Sequence, residues 1–144
     1  MSTKPSTSSV DSAAYRPAQK VEREVLNAAV RYLDACVTRD AAYIAANSLD
    51  DPPGSYLGIT TGPGPALGLS AFVEHLTGLK PVKWGGLNPR GYAVGDFAWF
   101  TDHAQGIIPS GQELDIRATL LMRRVSTAWK IVHFHVSESV YREG

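Results

Sequence analysis

Trp129-Lys130-Ile131-Val132-His133-Phe134-His135-Val136-Ser137 runs nine residues without a Gly or Pro, and β-branched and aromatic side chains dominate it. Side chains on a strand point alternately to the two faces of its sheet. Read that way, Trp129, Ile131, His133, His135 and Ser137 share one face, and Lys130, Val132, Phe134 and Val136 share the other. The period of two continues upstream through residues 113–124, 97–108 and 83–92. Gly95-Asp96, Pro109-Ser110-Gly111 and Val125-Ser126-Thr127 separate these runs and read as hairpin connections. The second half of the chain is therefore a run of antiparallel strands.

The first half has a different period. Val21, Val25, Ala28, Tyr32 and Cys36 recur at three- and four-residue steps across residues 17–39, the stripe of an amphipathic helix with Pro17 suited to its first turn. Asp40 is placed to cap a short helix over residues 41–47, which Asp51-Pro52-Pro53-Gly54 ends. Residues 55–60 read as a short strand and the Gly- and Pro-rich residues 61–65 as a loop. A third helix fits residues 70–79, with Ser70 as its cap. Helices first and strands afterwards give an α+β domain, three N-terminal helices packed on a curved, mainly antiparallel sheet.

At 144 residues, 44% hydrophobic and 19% charged, the chain suits one packed domain, expected over residues 15–144, behind a Ser/Thr-rich tail at 1–14. Fourteen basic residues balance fourteen acidic ones, so there is no broad field to attract nucleic acid. No apolar run is long enough to span a membrane. The tail lacks the apolar core of a secretory signal, and a cytoplasmic location is expected. Cys36 is the only cysteine, which rules out an internal disulfide and a thiolate cluster. With four histidines besides, neither a structural metal nor a cofactor is expected.

Polar residues inside apolar strands are the informative exceptions. Asp102 follows Phe100 on one strand, and Arg117 stands between Ile116 and Ala118 on the next. A buried charge needs a partner, so an Asp102–Arg117 pair across neighbouring strands is expected at the mouth of a pocket. His133 and His135 point the same way, but a third ligand such as His103 would have to come from another strand to make a metal site. Neither face of the sheet is plainly polar. Trp99, Leu120, Met122 and Ile131 need cover while the helices can cover only one face, so a homodimer or larger ring through the other is expected.

The last strand resembles the C-terminal strand of the SnoaL-like division of the nuclear transport factor 2 superfamily, and is especially similar to the association domain of calcium/calmodulin-dependent protein kinase II. Asn88-Pro89, Gly95-Asp96, Ala98 and Arg123-Arg124 fall at matching offsets before it, and Gly68-Leu69 precedes the third helix as in that family. The likeness covers residues 18–137. It implies a cone, with three helices closing over a strongly bent sheet and assembly through the sheet's outer face. The arginines that line the kinase-domain pocket are replaced here by Val136, Thr119 and Ala104, so its anionic-ligand site is not implied; a two-residue register shift would bring Arg117 to one of those places. His135 and Ser137 match two positions of the iota-class carbonic anhydrases, but Phe134 and Val136 interrupt the His- and Ser-rich run of that group. For ketosteroid isomerases, which work with buried acids, Asp102 is the one strand carboxylate that fits inside the cone.

Two functions follow as expectations. In the first, Tyr56, Trp84, Tyr92 and Phe100 line a cone that binds a small, mostly apolar molecule, with Thr119 and Ser137 as further ligand contacts. Asp102 or His135 would move a proton, as in an isomerase, cyclase or lyase, and Arg117 or Thr119 would steady developing negative charge. In the second, the domain is a non-catalytic oligomerisation or ligand-binding module. A buried acid with a shifted pKa favours the first, and a cone filled by side chains favours the second.

Overall fold

The computed structural model describes residues 15–60 and 68–139. The expected tail at 1–14 and loop at 61–65 lie outside them. In chain order the elements are β1 (Gln19–Lys20), α1 (Arg23–Thr38), α2 (Ala41–Ala46), β2 (Leu57–Ile59), α3 (Leu69–Thr77), β3 (Lys83–Gly85), β4 (Arg90–Val94), β5 (Phe97–Ile107), β6 (Glu113–Val125) and β7 (Ala128–Ser139). The sheet runs β1-β4-β5-β6-β7-β2, with β3 also pairing to β5. Among these strands the pairings are antiparallel except β2 with β7.

At three places the elements depart most from the sequence reading. The helix expected from residue 17 starts at Arg23, because Gln19 and Lys20 pair with Tyr92 and Ala93 and extend the sheet. The strand expected over residues 83–92 is two strands, parted by Gly86 in a left-handed conformation and by Pro89, which has no N–H for a ladder. The third helix is capped by Gly68, not Ser70. Asp40 does cap α2, its carboxylate accepting from the Tyr43 N–H at 3.1 Å.

The core lies between the helices and the concave face of the sheet. Ala98 and Phe100 of β5, Ala118, Leu120 and Met122 of β6, and Ile131 and Phe134 of β7 face Val25, Ala29, Tyr32, Leu33 and Cys36 of α1. Aromatic rings bridge the layers: Tyr32 to Phe134 at 6.2 Å, Phe134 to Phe72 at 5.5 Å and Phe72 to Tyr56 at 5.4 Å between centroids. Gly58 in β2 lets Phe72 of α3 lie flat on the sheet, since a Cβ there would overlap the ring.

One bulge sets which side chains of β7 enter this core. Leu121 pairs with His133 and Met122 with Ile131, so Val132 is an extra residue. The bulge returns Ile131 to the inner face beside Phe134 and leaves His133, His135 and Ser137 outside. Strict alternation had grouped Ile131 with the histidines. Leu120, Met122 and Ile131 therefore need no partner subunit to bury them; each is at most 1% exposed within the chain. Trp99 remains on the outer face.

Candidate functional site

Asp102 is the only buried charged residue among the described residues, at 5% exposure on the inner face of β5. Its Oδ1 accepts the Asn88 backbone N–H at 2.8 Å, and its Oδ2 is buried with no hydrogen-bond partner. Burial pushes the carboxyl above the usual carboxylate value, partly offset by the Asn88 and His103 backbone N–H groups and by the His103 ring. The sequence placed Asp102 correctly but not its partner. Arg117 pairs with His103 on β5, whereas Asp102 pairs with Ala118. An odd offset puts Arg117 on the opposite face, where it is exposed, and no Asp102–Arg117 pair forms.

The same parity moves other expected pocket residues out of the cone. Thr119 and Ser137 are half-buried on the outer face, in register with His135 and Arg117 respectively, and His135 is exposed. Tyr92 is exposed there too, its ring 6.4 Å from that of Trp99. His133 is turned to the edge, where its Nδ1 donates to the Leu57 carbonyl at 2.9 Å. Of the residues expected to act in a pocket, Asp102, Tyr56, Phe100 and Trp84 lie inside.

Tyr56 is fully buried, and its hydroxyl is already committed. The Ser48 hydroxyl donates to the Ile44 carbonyl at 2.6 Å. Having one proton, Ser48 must accept from Tyr32 at 2.7 Å, and Tyr32 must in turn accept from Tyr56 at 2.7 Å. Every donor of the chain is thus used inside the protein, and Tyr56 keeps none for a ligand. Burial pushes both phenols well above their ordinary value.

A cavity of about 50 Å³ opens between the C-terminal half of α1, the end of α3 and the sheet. Leu33, Val37, Leu76, Val82, Trp84, Ile116, Phe134 and Val136 supply apolar walls, with Cys36, Arg39, Thr60 and Glu138 as the polar lining. The Trp84 indole N–H donates to Asp34 at 3.2 Å, which fixes the ring in the wall. Burial raises the Cys36 thiol far above its ordinary value, so it stays a neutral wall group. Asp102 does not line the cavity; of the residues that do, Ile116 stands near it in the ladder, on β6 two residues from Ala118, the cross-strand partner of Asp102. A wider groove of about 660 Å³ lies outside the cone, between the β1 segment and the β6–β7 turn; Lys20, Glu22, Glu24 and Arg124 give it charges of both signs.

Arg39 was not singled out from the sequence. It ends α1 in a left-handed conformation, φ 65°, and its guanidinium donates to the Cys36 carbonyl at 2.7 Å and the Lys80 carbonyl at 2.9 Å. A basic residue directly after a helical stripe is a known C-terminal signal, but nothing local indicates that it also reaches a cavity. Tyr32 was read only as part of the helix stripe, for the same reason. Among the described residues no group of three His, Cys, Asp or Glu is arranged to hold a metal, and no helix is long and apolar enough to cross a membrane.

Three helices over a bent sheet, enclosing an apolar cavity, define a cone fold of the nuclear transport factor 2-like class. Within that class the chain belongs to the SnoaL-like domain family, whose profile matches residues 25–141. No curated protein matches the chain. Solved structures do. A nuclear transport factor 2-like protein of unknown function from Pseudomonas putida is 24% identical, over 81% of this chain and 84% of that one, with a TM-score of 0.63. A ketosteroid isomerase-like protein from Erwinia carotovora is 16% identical over 83% and 100%, TM-score 0.62. A protein from Thiobacillus denitrificans, provisionally named a calcium/calmodulin-dependent protein kinase type II association domain, is 16% identical over 78% and 93%, TM-score 0.64. At these identities the likeness is one of fold, and the same fold carries different functions.

Proposed function

We propose that this domain binds a small, mostly apolar molecule in its cone. The observation that carries the reading is the cavity itself, walled by aliphatic and aromatic side chains from α1, α3 and three strands. Its volume of about 50 Å³ suits a ligand of a few heavy atoms. Asp102 is the residue for any acid–base step of the isomerase, cyclase or lyase type, because its Oδ2 is unpartnered and its carboxyl holds a proton more readily than usual. Asp102 stands behind the cavity wall, so a substrate would have to reach past Ile116 to meet it. Native mass spectrometry of the protein purified from its own source tests binding: a small retained mass is expected, and it should be lost from Val136→Trp, which fills the cavity. A protein that carries nothing, and whose Val136→Trp variant is equally stable and empty, would refute the reading.

A second reading is favoured by a separate observation. Phe97, Trp99, Tyr92 and Leu121 form an apolar stripe on the outer face, exposed by 52%, 39%, 41% and 39%. Such a patch suits assembly with a second copy, sheet against sheet, and assembly is compatible with either a catalytic or a non-catalytic cone.

A further inference from the structure

His133 and His135 are neighbours on the outer face of β7, with Phe134 between them in the core. Their rings are 6.5 Å apart between centroids. The Leu57 carbonyl can only accept, so the His133 Nδ1, 2.9 Å from it, carries the proton, and the neutral ring keeps its lone pair on Nε2. That Nε2 has no hydrogen-bond partner among the described residues, and it is not a buried atom. The His135 ring is exposed, and among the described residues no hydrogen bond or ion pair uses it. Holding the edge of β2 accounts for one nitrogen of His133 and leaves the other, and the whole His135 ring, without a task. A ring pinned through one nitrogen by a backbone carbonyl, with the opposite nitrogen open, is the usual condition of a metal-ligating histidine.

From this arrangement we infer that His133 and His135 form a chelating site for a late first-row divalent ion of the Zn²⁺ type, held by both imidazoles on the exposed face of β7. The site goes beyond the cone reading and does not depend on it. Two imidazoles on one zinc ion, each nitrogen at about 2.0–2.1 Å, have ring centroids about 5 Å apart. Turning the unbonded His135 ring closes the difference while His133 keeps its bond to Leu57. Imidazole suits Zn²⁺, Ni²⁺ and Cu²⁺, whereas Mg²⁺ takes oxygen ligands. Solvent completes the coordination, since among the described residues no third His, Cys, Asp or Glu joins the pair. Arg117, the cross-strand partner of Ser137, repels a cation, but it is exposed and solvent screens it. An open, exchangeable site of this kind differs from the structural metal centre that the sequence argued against, which needs four protein ligands.

Isothermal titration of the full-length protein with zinc chloride tests the site, with magnesium chloride as the control. Saturable uptake of no more than one Zn²⁺ per chain is expected, and no uptake of Mg²⁺. In ¹⁵N-histidine spectra zinc should move His133 and His135, His133 through Nε2 with its Nδ1–H kept, while His75 and His103 stay in place. His133→Ala and His135→Ala should each weaken binding by about tenfold or more. His75→Ala and His103→Ala should leave it unchanged. Zinc uptake that survives loss of either strand histidine would overturn the assignment, as would spectra in which only one of the two responds. A titration with no saturable uptake would overturn it outright and leave the cone reading untouched.

Discussion

The tyrosine pair makes a prediction that depends on the direction of a hydrogen-bond chain. The Ile44 carbonyl can only accept, so protons run from Tyr56 to Tyr32 to Ser48 to Ile44. Tyr56→Phe removes the first donor and strands none, which should cost about 1 kcal/mol, the usual net worth of one hydrogen bond. Tyr32→Phe removes two bonds and leaves the fully buried Tyr56 hydroxyl without the acceptor it uses. Two bonds at about 1 kcal/mol each and an orphaned donor at about 1–3 kcal/mol give a loss of about 3–5 kcal/mol. The double variant deletes the orphan and should be more stable than Tyr32→Phe by about 1–3 kcal/mol, since removing both partners is far milder than removing one. Urea unfolding of the four proteins at neutral pH, where neither phenol ionises, measures this cycle. If Tyr56→Phe costs as much as Tyr32→Phe, or if adding it to Tyr32→Phe lowers stability further, the chain does not run in this direction.

Asp102 should give a pH-dependent signature. Its folded pKa is raised, so its contribution to stability is full below the ordinary value of 3.8 and is lost as pH rises through the folded pKa. The stability difference between Asp102→Asn and the parent should therefore move in favour of the variant as pH rises from acid towards neutral, read from denaturant midpoints. A difference that moves the other way would mean that an unseen cation holds the carboxylate. Arg117→Ala, on the exposed face, should stay within about 0.5 kcal/mol of the parent, whereas a buried partner of Asp102 would cost several times that. Gly58→Ala puts a methyl group against the Phe72 ring and should cost about 2 kcal/mol in thermal or urea unfolding. If the outer face joins two copies, Trp99→Lys with Leu121→Lys should convert a dimer to a monomer in light scattering; a parent chain already monomeric at micromolar concentration would remove the assembly reading.

The legible parts of this chain are those in which one residue's neighbours in sequence are also its neighbours in space. The α1 stripe, the Asp40 cap and the long hairpins of β5, β6 and β7 are local patterns, and each stands close to where periodicity put it. The likeness of the last strand and its upstream offsets to the SnoaL-like family carried the cone fold. Composition placed Asp102 among apolar neighbours, and it is buried. Within β5, parity was also sound: Ala98, Phe100, Asp102 and Ala104 do face inwards together.

Parity between strands was not legible, because it depends on register. Whether Asp102 meets Arg117 or Ala118 is decided by where the β5–β6 hairpin closes, and a one-residue difference sends every side chain of β6 to the other face. The Val132 bulge likewise has no mark in the sequence; it exists because Ile131 and Phe134 must both reach the core while His133 stays outside. Arg39 acquired its place at the cavity from the meeting of the α1 terminus with the Lys80 carbonyl, forty-one positions away. The amino-acid sequence by itself determined that helices precede a two-faced sheet and that one acid is buried in it. Only the tertiary structure decided which charges share a face, because hydrogen-bond register and packing fix that relation between strands and no local pattern encodes it.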